Sequence, residues 1–238
     1  MSKSLFVTGT GTDVGKTFVT GLMLKKLREN GRRAAYYKAA MSGNDRRADG
    51  SLIPGDALRV KEMSGIEQPL EEMCPYVYET AVSPHLAAKL EGNPVELERV
   101  LEGLRDVQAR YDYVTVEGSG GILCPLRFDG QSIQLEDVIR AGNLGCLIVA
   151  DAGLGTINAV VLTVEYMKAR HIPVKGILFN QFEPGNPLHE DNRRMCEALT
   201  GQKVLACVKK GDRELDLPVD VLEALYDERR SGHDLVSL

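Results

Sequence analysis

Two lysines, two carboxylates and a threonine in this chain have neighbours that suit phosphate chemistry. The segment VTGTGTDVGKTF, residues 7–18, follows an apolar run and opens an amphipathic stretch. Backbone N–H groups in such a loop point inward, and the following helix N-terminus adds a positive field for phosphate. Lys16 would reach the β- and γ-phosphates of a nucleotide, and the Thr17 hydroxyl would hold Mg²⁺. Against the pattern G-x-x-x-x-G-K-[ST], Thr10 stands where the first glycine belongs. Gly9 lies one residue further back, so the loop is one residue longer. The bland alternative, an accidental turn, does not account for a strand, GKT and a helix in that order.

A bound metal needs further oxygens. Glu117, after the apolar run YVTV, is the carboxylate to reach the metal or its water. Asp56, in IPGDALRV, is either a second ligand or a helix N-terminal carboxylate stabilised by the dipole.

These groups must be carried by elements, and the elements are legible. Strand-like runs lie at residues 5–9, 34–38, 113–118, 146–151, 176–180 and 203–208. Amphipathic helical patterns separate them at 16–28, 96–109, 157–169 and 188–199. Continuous apolar strands alternating with helices predict an α/β fold, a mostly parallel sheet with helices on both faces. In such a sheet ligands sit outside the carboxyl ends of the strands. The first run enters the glycine-rich loop, and the next four end at Lys38, Glu117, Asp151 and Asn180. Asp151 and Asn180 alone could be helix caps; that does not explain Lys38 and Glu117 together.

The chain has 238 residues, 43% hydrophobic and 26% charged, which fits one domain over 1–226 with a polar tail at 227–238. A net charge of −5 argues against a broad nucleic-acid or membrane surface. No apolar run approaches the roughly 20 residues of a membrane span, and the expected compartment is cytoplasmic. The five cysteines form no C-x-x-C pair, and the four histidines form no ligand cluster.

VTGTGTDVGKT at 7–17, YKAAMSG at 37–43, GDAL at 55–58, SPHLAA at 83–88, VEGSGG at 116–121 and GLGTIN at 153–158 occur in the order seen in dethiobiotin synthase. With Asn180, the resemblance covers about three-quarters of the chain. It implies a P-loop NTPase-type fold and an ATP- and Mg²⁺-dependent cyclo-ligase of biotin biosynthesis. Its substrates would be 7,8-diaminononanoate and CO₂, joined through a carbamate and a carbamoyl-phosphate mixed anhydride. The resemblance gives Lys16 and Lys38 the catalytic charge and Thr17, Asp56 and Glu117 the metal. Nucleotide contacts would come from Thr12, Asp13, Val14, Gly15, Lys16, Thr17 and Phe18, and from Gly118, Ser119 and Gly120 after Glu117. Asn180 would meet the purine. Val208, Lys209 and Lys210 would border the base, with Lys209 where the family pattern has proline, which implies looser base selection. Thr12, Lys38 and Ser42 would lie near the reacting amines and carbamate. The substrate's carboxylate would rest on Gly155, Thr156, Ile157 and Asn158 of a partner subunit, making a homodimer with shared sites. Ser83 is either a channel residue or a helix cap.

Two rivals share the fold. A partner-regulated ATPase switch usually carries a second lysine early in the loop, where Gly11 stands here. A related cobalamin-precursor synthetase would carry an additional amidotransferase domain, for which this chain is too short.

Overall fold

The computed structural model describes residues 2–228. Strand β1 (Lys3–Gly9) leads through the loop into α1 (Lys16–Glu29), and β2 (Ala34–Lys38) follows. Next come α2 (Gly55–Ser64), a 3₁₀ turn at Leu70–Glu72, α3 (Pro84–Leu90), α4 (Leu97–Arg110) and β3 (Tyr113–Gly121). A hairpin of β4 (Pro125–Phe128) and β5 (Ser132–Gln134) precedes α5 (Leu135–Ala141) and β6 (Cys146–Asp151). The chain continues with α6 (Thr156–Ala169), β7 (Val174–Asn180), α7 (Pro187–Thr200), β8 (Val204–Cys207), α8 (Val219–Glu223) and β9 (Asp227–Glu228).

The main sheet runs β2-β3-β1-β6-β7-β8, and every pair along that path is parallel. Alternate strand residues therefore face opposite helix layers. Leu5 and Val7 join a core with Val19, Met23 and Leu27 of α1, whereas Phe6 joins Val100, Leu104, Val160 and Val164 from α4 and α6. In α4 the buried Val100, Leu104 and Val107 recur at i, i+4 and i+7, the spacing that puts one stripe against the sheet.

Parallel pairing brings the carboxyl ends of the strands to one edge, with Lys38 opposite Glu117 and Asp151 opposite Asn180. The chain end differs from the sequence expectation at its first two residues. Asp227 and Glu228 pair antiparallel with Ser4 and Lys3, alongside the start of β1 where β6 has not yet joined, and Lys175 bonds the Asp227 carboxylate at 2.5 Å. The remainder of the expected tail lies outside the described residues.

Candidate active site

The loop between β1 and α1 is shaped by close approaches that only glycine permits. A Cβ on Gly9 would stand 2.8 Å from Val14 and 3.1 Å from Lys16, so Gly9 supplies the bare backbone that the motif seeks one position later. Thr10 is free to differ, its N–H bonding the Val149 carbonyl at 3.1 Å. Asp13 (φ 59°) and Gly15 (φ 92°) are both left-handed, which coils the loop just ahead of α1. A Cβ on Gly15 would lie 2.0 Å from the Asn180 amide, whose Nδ2 donates to the Val14 carbonyl at 3.1 Å.

At the start of α1 the expected groups meet. The Lys16 ammonium folds onto the Gly11 carbonyl at 2.9 Å. Thr17 Oγ1 donates to Glu117 Oε1 at 2.9 Å and stands 3.4 Å from Asp56 Oδ1. Lys38 Nζ donates to Asp56 Oδ2 at 2.6 Å and to Glu117 Oε1 at 2.8 Å. The Lys38 and Glu117 side chains are buried, while Asp56 keeps 41% of its side chain exposed.

Burial disfavours the Lys38 ammonium, yet Glu117 and Asp56 outweigh burial and hold the amine above its ordinary value. Burial, then repulsion from Lys38, pulls Lys16 below its ordinary value. Burial raises the Asp56 carboxyl, but Lys38 and the Thr17 hydroxyl bring it below the usual carboxylate range. Two cations and two anions thus neutralise one another where a polyphosphate would add negative charge. Among the described residues no three His, Cys, Asp or Glu side chains are grouped to hold a metal. A hard cation here would draw on Thr17, Asp56 and Glu117 and complete its shell with ligand oxygens, as Mg²⁺ commonly does.

Around this centre, Gly120 approaches Thr12, and Ser119 Oγ donates to the Ala40 carbonyl at 2.9 Å. A Cβ on Gly118 would press on Phe6 at 3.0 Å. Val14 and Phe18 pack at the margin of the α1-side core. Ser42 Oγ donates to the Val82 carbonyl at 2.5 Å, which fixes its hydroxyl to the segment ahead of α3. Ser83 precedes α3, but its side chain makes no capping bond. Asp151 accepts from the Gly153 N–H at 2.7 Å and from Gln181 at 2.8 Å, a turn-forming role away from Lys38.

Two expected groups stand apart from the lysines and carboxylates. Gly155, at φ 90°, starts α6, with Thr156 buried, Ile157 half-buried and Asn158 exposed. Leu154 beside them is 92% exposed. After β8, Val208 is buried and bonds β7, whereas Lys209 and Lys210 are exposed and the Lys209 N–H donates to Asp212. Sequence reasoning did not find Tyr36, whose buried hydroxyl lies on the Glu117 side of the sheet; within AAYYK it reads as an ordinary apolar strand residue.

A parallel sheet with a glycine-rich loop, a lysine and a threonine at its helix start, and a carboxylate on the next strand defines a P-loop nucleotide-dependent protein. The AAA domain family matches residues 3–213. The chain is 45% identical over 217 residues to the ATP-dependent dethiobiotin synthetase BioD of Brachyspira hyodysenteriae, covering 91% of this chain and 96% of that one. It is 43% identical over 228 residues to the enzyme of the same name from Clostridium botulinum strain Langeland, covering 96% and 100%. The chain belongs to the ATP-dependent dethiobiotin synthetase family. At the level of fold alone it is similar to a MinC:MinD cell division complex chain of Aquifex aeolicus, with TM-score 0.54, 13% identity and coverage of 94% and 86%. A ParA family ATPase of Chlorobium tepidum gives TM-score 0.54 at 14% identity, covering 87% and 84%.

Proposed function

We propose that this chain is an ATP-dependent cyclo-ligase that closes the ureido ring of dethiobiotin from 7,8-diaminononanoate and CO₂. The observation that carries the reading is the junction of Lys16, Lys38, Thr17, Asp56 and Glu117 where α1 meets the carboxyl ends of β2 and β3.

One amine of the substrate attacks CO₂ and loses a proton, giving a carbamate. A carbamate oxygen attacks the γ-phosphorus as ADP leaves, and the second amine attacks the carbonyl carbon and loses a proton as phosphate leaves. Each stage concentrates negative charge, and fixed cations stabilise charge where it develops. Lys16, from the loop, serves the phosphates; Lys38, from the end of β2 beyond β3, serves the carbamate and its phosphate. To do so the Lys38 ammonium turns from Asp56 and Glu117 toward the substrate. Thr17, Asp56 and Glu117 are the residues that would hold Mg²⁺, a reading supported by the convergence of Asp56 Oδ1 and Glu117 Oε1 on the Thr17 hydroxyl. When bound, that ion offsets the charge of the phosphates. Thr12 and Ser42 would orient the amines and carbamate, and Asn180 would join the base to the loop.

The carboxylate of the diamine would rest on the N-terminus of α6 at Gly155–Asn158, supplied by the second subunit of a homodimer. Support comes from a helix N-terminus suited to an anion, the buried and unpartnered Thr156 hydroxyl, and exposed Leu154 and Leu162 on the same segment. The described residues contain no helix long and apolar enough to cross a membrane.

Carbamate activation can be tested with ¹⁸O-labelled CO₂ in a short incubation. The mechanism requires one labelled oxygen to pass into the released phosphate. Ureido product formed with unlabelled phosphate would exclude the mixed anhydride.

A further inference from the structure

Two buried polar atoms beside the phosphate loop are left out of the bonds described above. Glu117 Oε2 and Tyr36 Oη are both sealed from solvent and without a partner. One accepts and the other donates, so each is what the other lacks. The register of β2 and β3 sets Tyr36 opposite Thr115 and Lys38 opposite Glu117. Tyr36 and Glu117 therefore lie on the same side of the sheet, one step apart along the strands. Burial, and then the nearby Glu117 carboxylate, pushes the Tyr36 phenol well above its ordinary value, so it remains an O–H donor. Thr20 Oγ1 of α1 is also buried and unpartnered, but a helical threonine can turn to the carbonyl four residues back. Tyr36, on a strand, has no such local outlet.

We propose that Tyr36 is a positioning residue for Glu117, its hydroxyl donating to Oε2 so that Oε1 stays aimed at Thr17 and the metal position. Carboxylate torsions are broad, so Oε2 can meet the phenol by a small adjustment that leaves Oε1 on Thr17. With Oε2 held, the carboxylate cannot exchange its oxygens as Lys38 moves to the substrate, and a ligand oriented in this way binds its metal more tightly. The proposal rests on the metal role given to Glu117 above.

The test compares wild type, Tyr36→Phe, Glu117→Gln and the double variant, using Mn²⁺ binding to the ADP complex followed by electron paramagnetic resonance. Thermal unfolding of each checks that it is folded. Tyr36→Phe is expected to weaken Mn²⁺ about 10-fold, within the range of lost outer-shell partners, with kcat lowered and the KM for ATP near wild type. In the Glu117→Gln background the same change should have no further effect. Mn²⁺ binding within twofold of wild type for Tyr36→Phe, alongside a weakened Glu117→Gln, overturns the role of Tyr36 and leaves the metal reading standing. An effect of Tyr36→Phe that persists without the Glu117 carboxylate overturns it as well. Normal binding in both single variants removes the metal role of Glu117 and the inference with it.

Discussion

Lys38 is a buried ammonium held between Asp56 and Glu117, and its proposed role is to act on the reacting carbamate. Lys38→Ala is therefore expected to lose about 10²–10³ in kcat, the loss typical of one preorganised charge. ADP affinity by calorimetry should change little. Turnover within a few-fold of wild type would show that Lys38 is not in the reaction. Lys16→Ala should weaken both terms, because its ammonium would also meet the ground-state nucleotide. Asp56 gives a pH dependence. Despite its burial, Lys38 and Thr17 hold its carboxyl below the ordinary value of 3.8. Such a group stabilises the fold above its unfolded value and loses that contribution as pH falls through the lower folded value. The excess in denaturant midpoint of wild type over Asp56→Asn should be full near neutrality and shrink below about 3.8. An excess that grows in acid contradicts this ion pair. Lys16, Thr17, Lys38 and Glu117 were legible because each ends an apolar run or closes the loop, although β3 itself continues past Glu117 to Gly121. The bond from Lys38 to Asp56 was not, since it joins residues 18 apart through a turn that no periodicity reports.

The phosphate loop is held from behind by Asn180, and that contact sets the expectation for the element. Gly15→Ala adds strain at φ 92° and a Cβ 2.0 Å from the Asn180 amide. ADP affinity should fall at least about 10-fold, and Gly15→Ala with Asn180→Ala should recover only part, since the backbone strain remains. Normal ADP binding by Gly15→Ala would mean that the loop is not held as described. At the proposed base end of the nucleotide, exposed Lys209 stands after β8 where the family pattern has proline, followed by exposed Lys210. Discrimination by kcat/KM of ATP over GTP and CTP is expected to stay below about 10³; a larger preference would indicate an intact polar readout of adenine. The strands and four long helices were readable because continuous apolar runs and 3.6-residue stripes differ in period. The hairpin β4–β5, of four and three residues, and the two-residue β9 are too short to show any period. The order β2-β3-β1-β6-β7-β8 depends on packing between distant segments, which the residue pattern does not encode.

For the molecule as a whole, the proposed dimer makes each site a joint product of two chains, with Lys38 from one and the start of α6 from the other. Two weak variants should then complement each other: Lys38→Ala, and Thr156→Glu, whose acid would repel the substrate's carboxylate at the helix start. After random subunit exchange half the dimers are mixed, each with one intact and one doubly damaged site, so activity should recover to about a quarter of wild type. Verified exchange without recovery would put both residues in one subunit's site. The fold alone does not choose between a ligase and an ATPase switch, because the solved structures it resembles include MinD and ParA proteins. The choice rests on what nucleotide hydrolysis is coupled to. The most direct measurement follows ADP, phosphate and ureido product together in the pure protein with MgATP, omitting the diamine or bicarbonate in turn. A ligase releases the three in equal amounts, and little ADP forms when either substrate is left out. ADP release that ignores the diamine and rises instead with a protein partner would contradict the account at its centre.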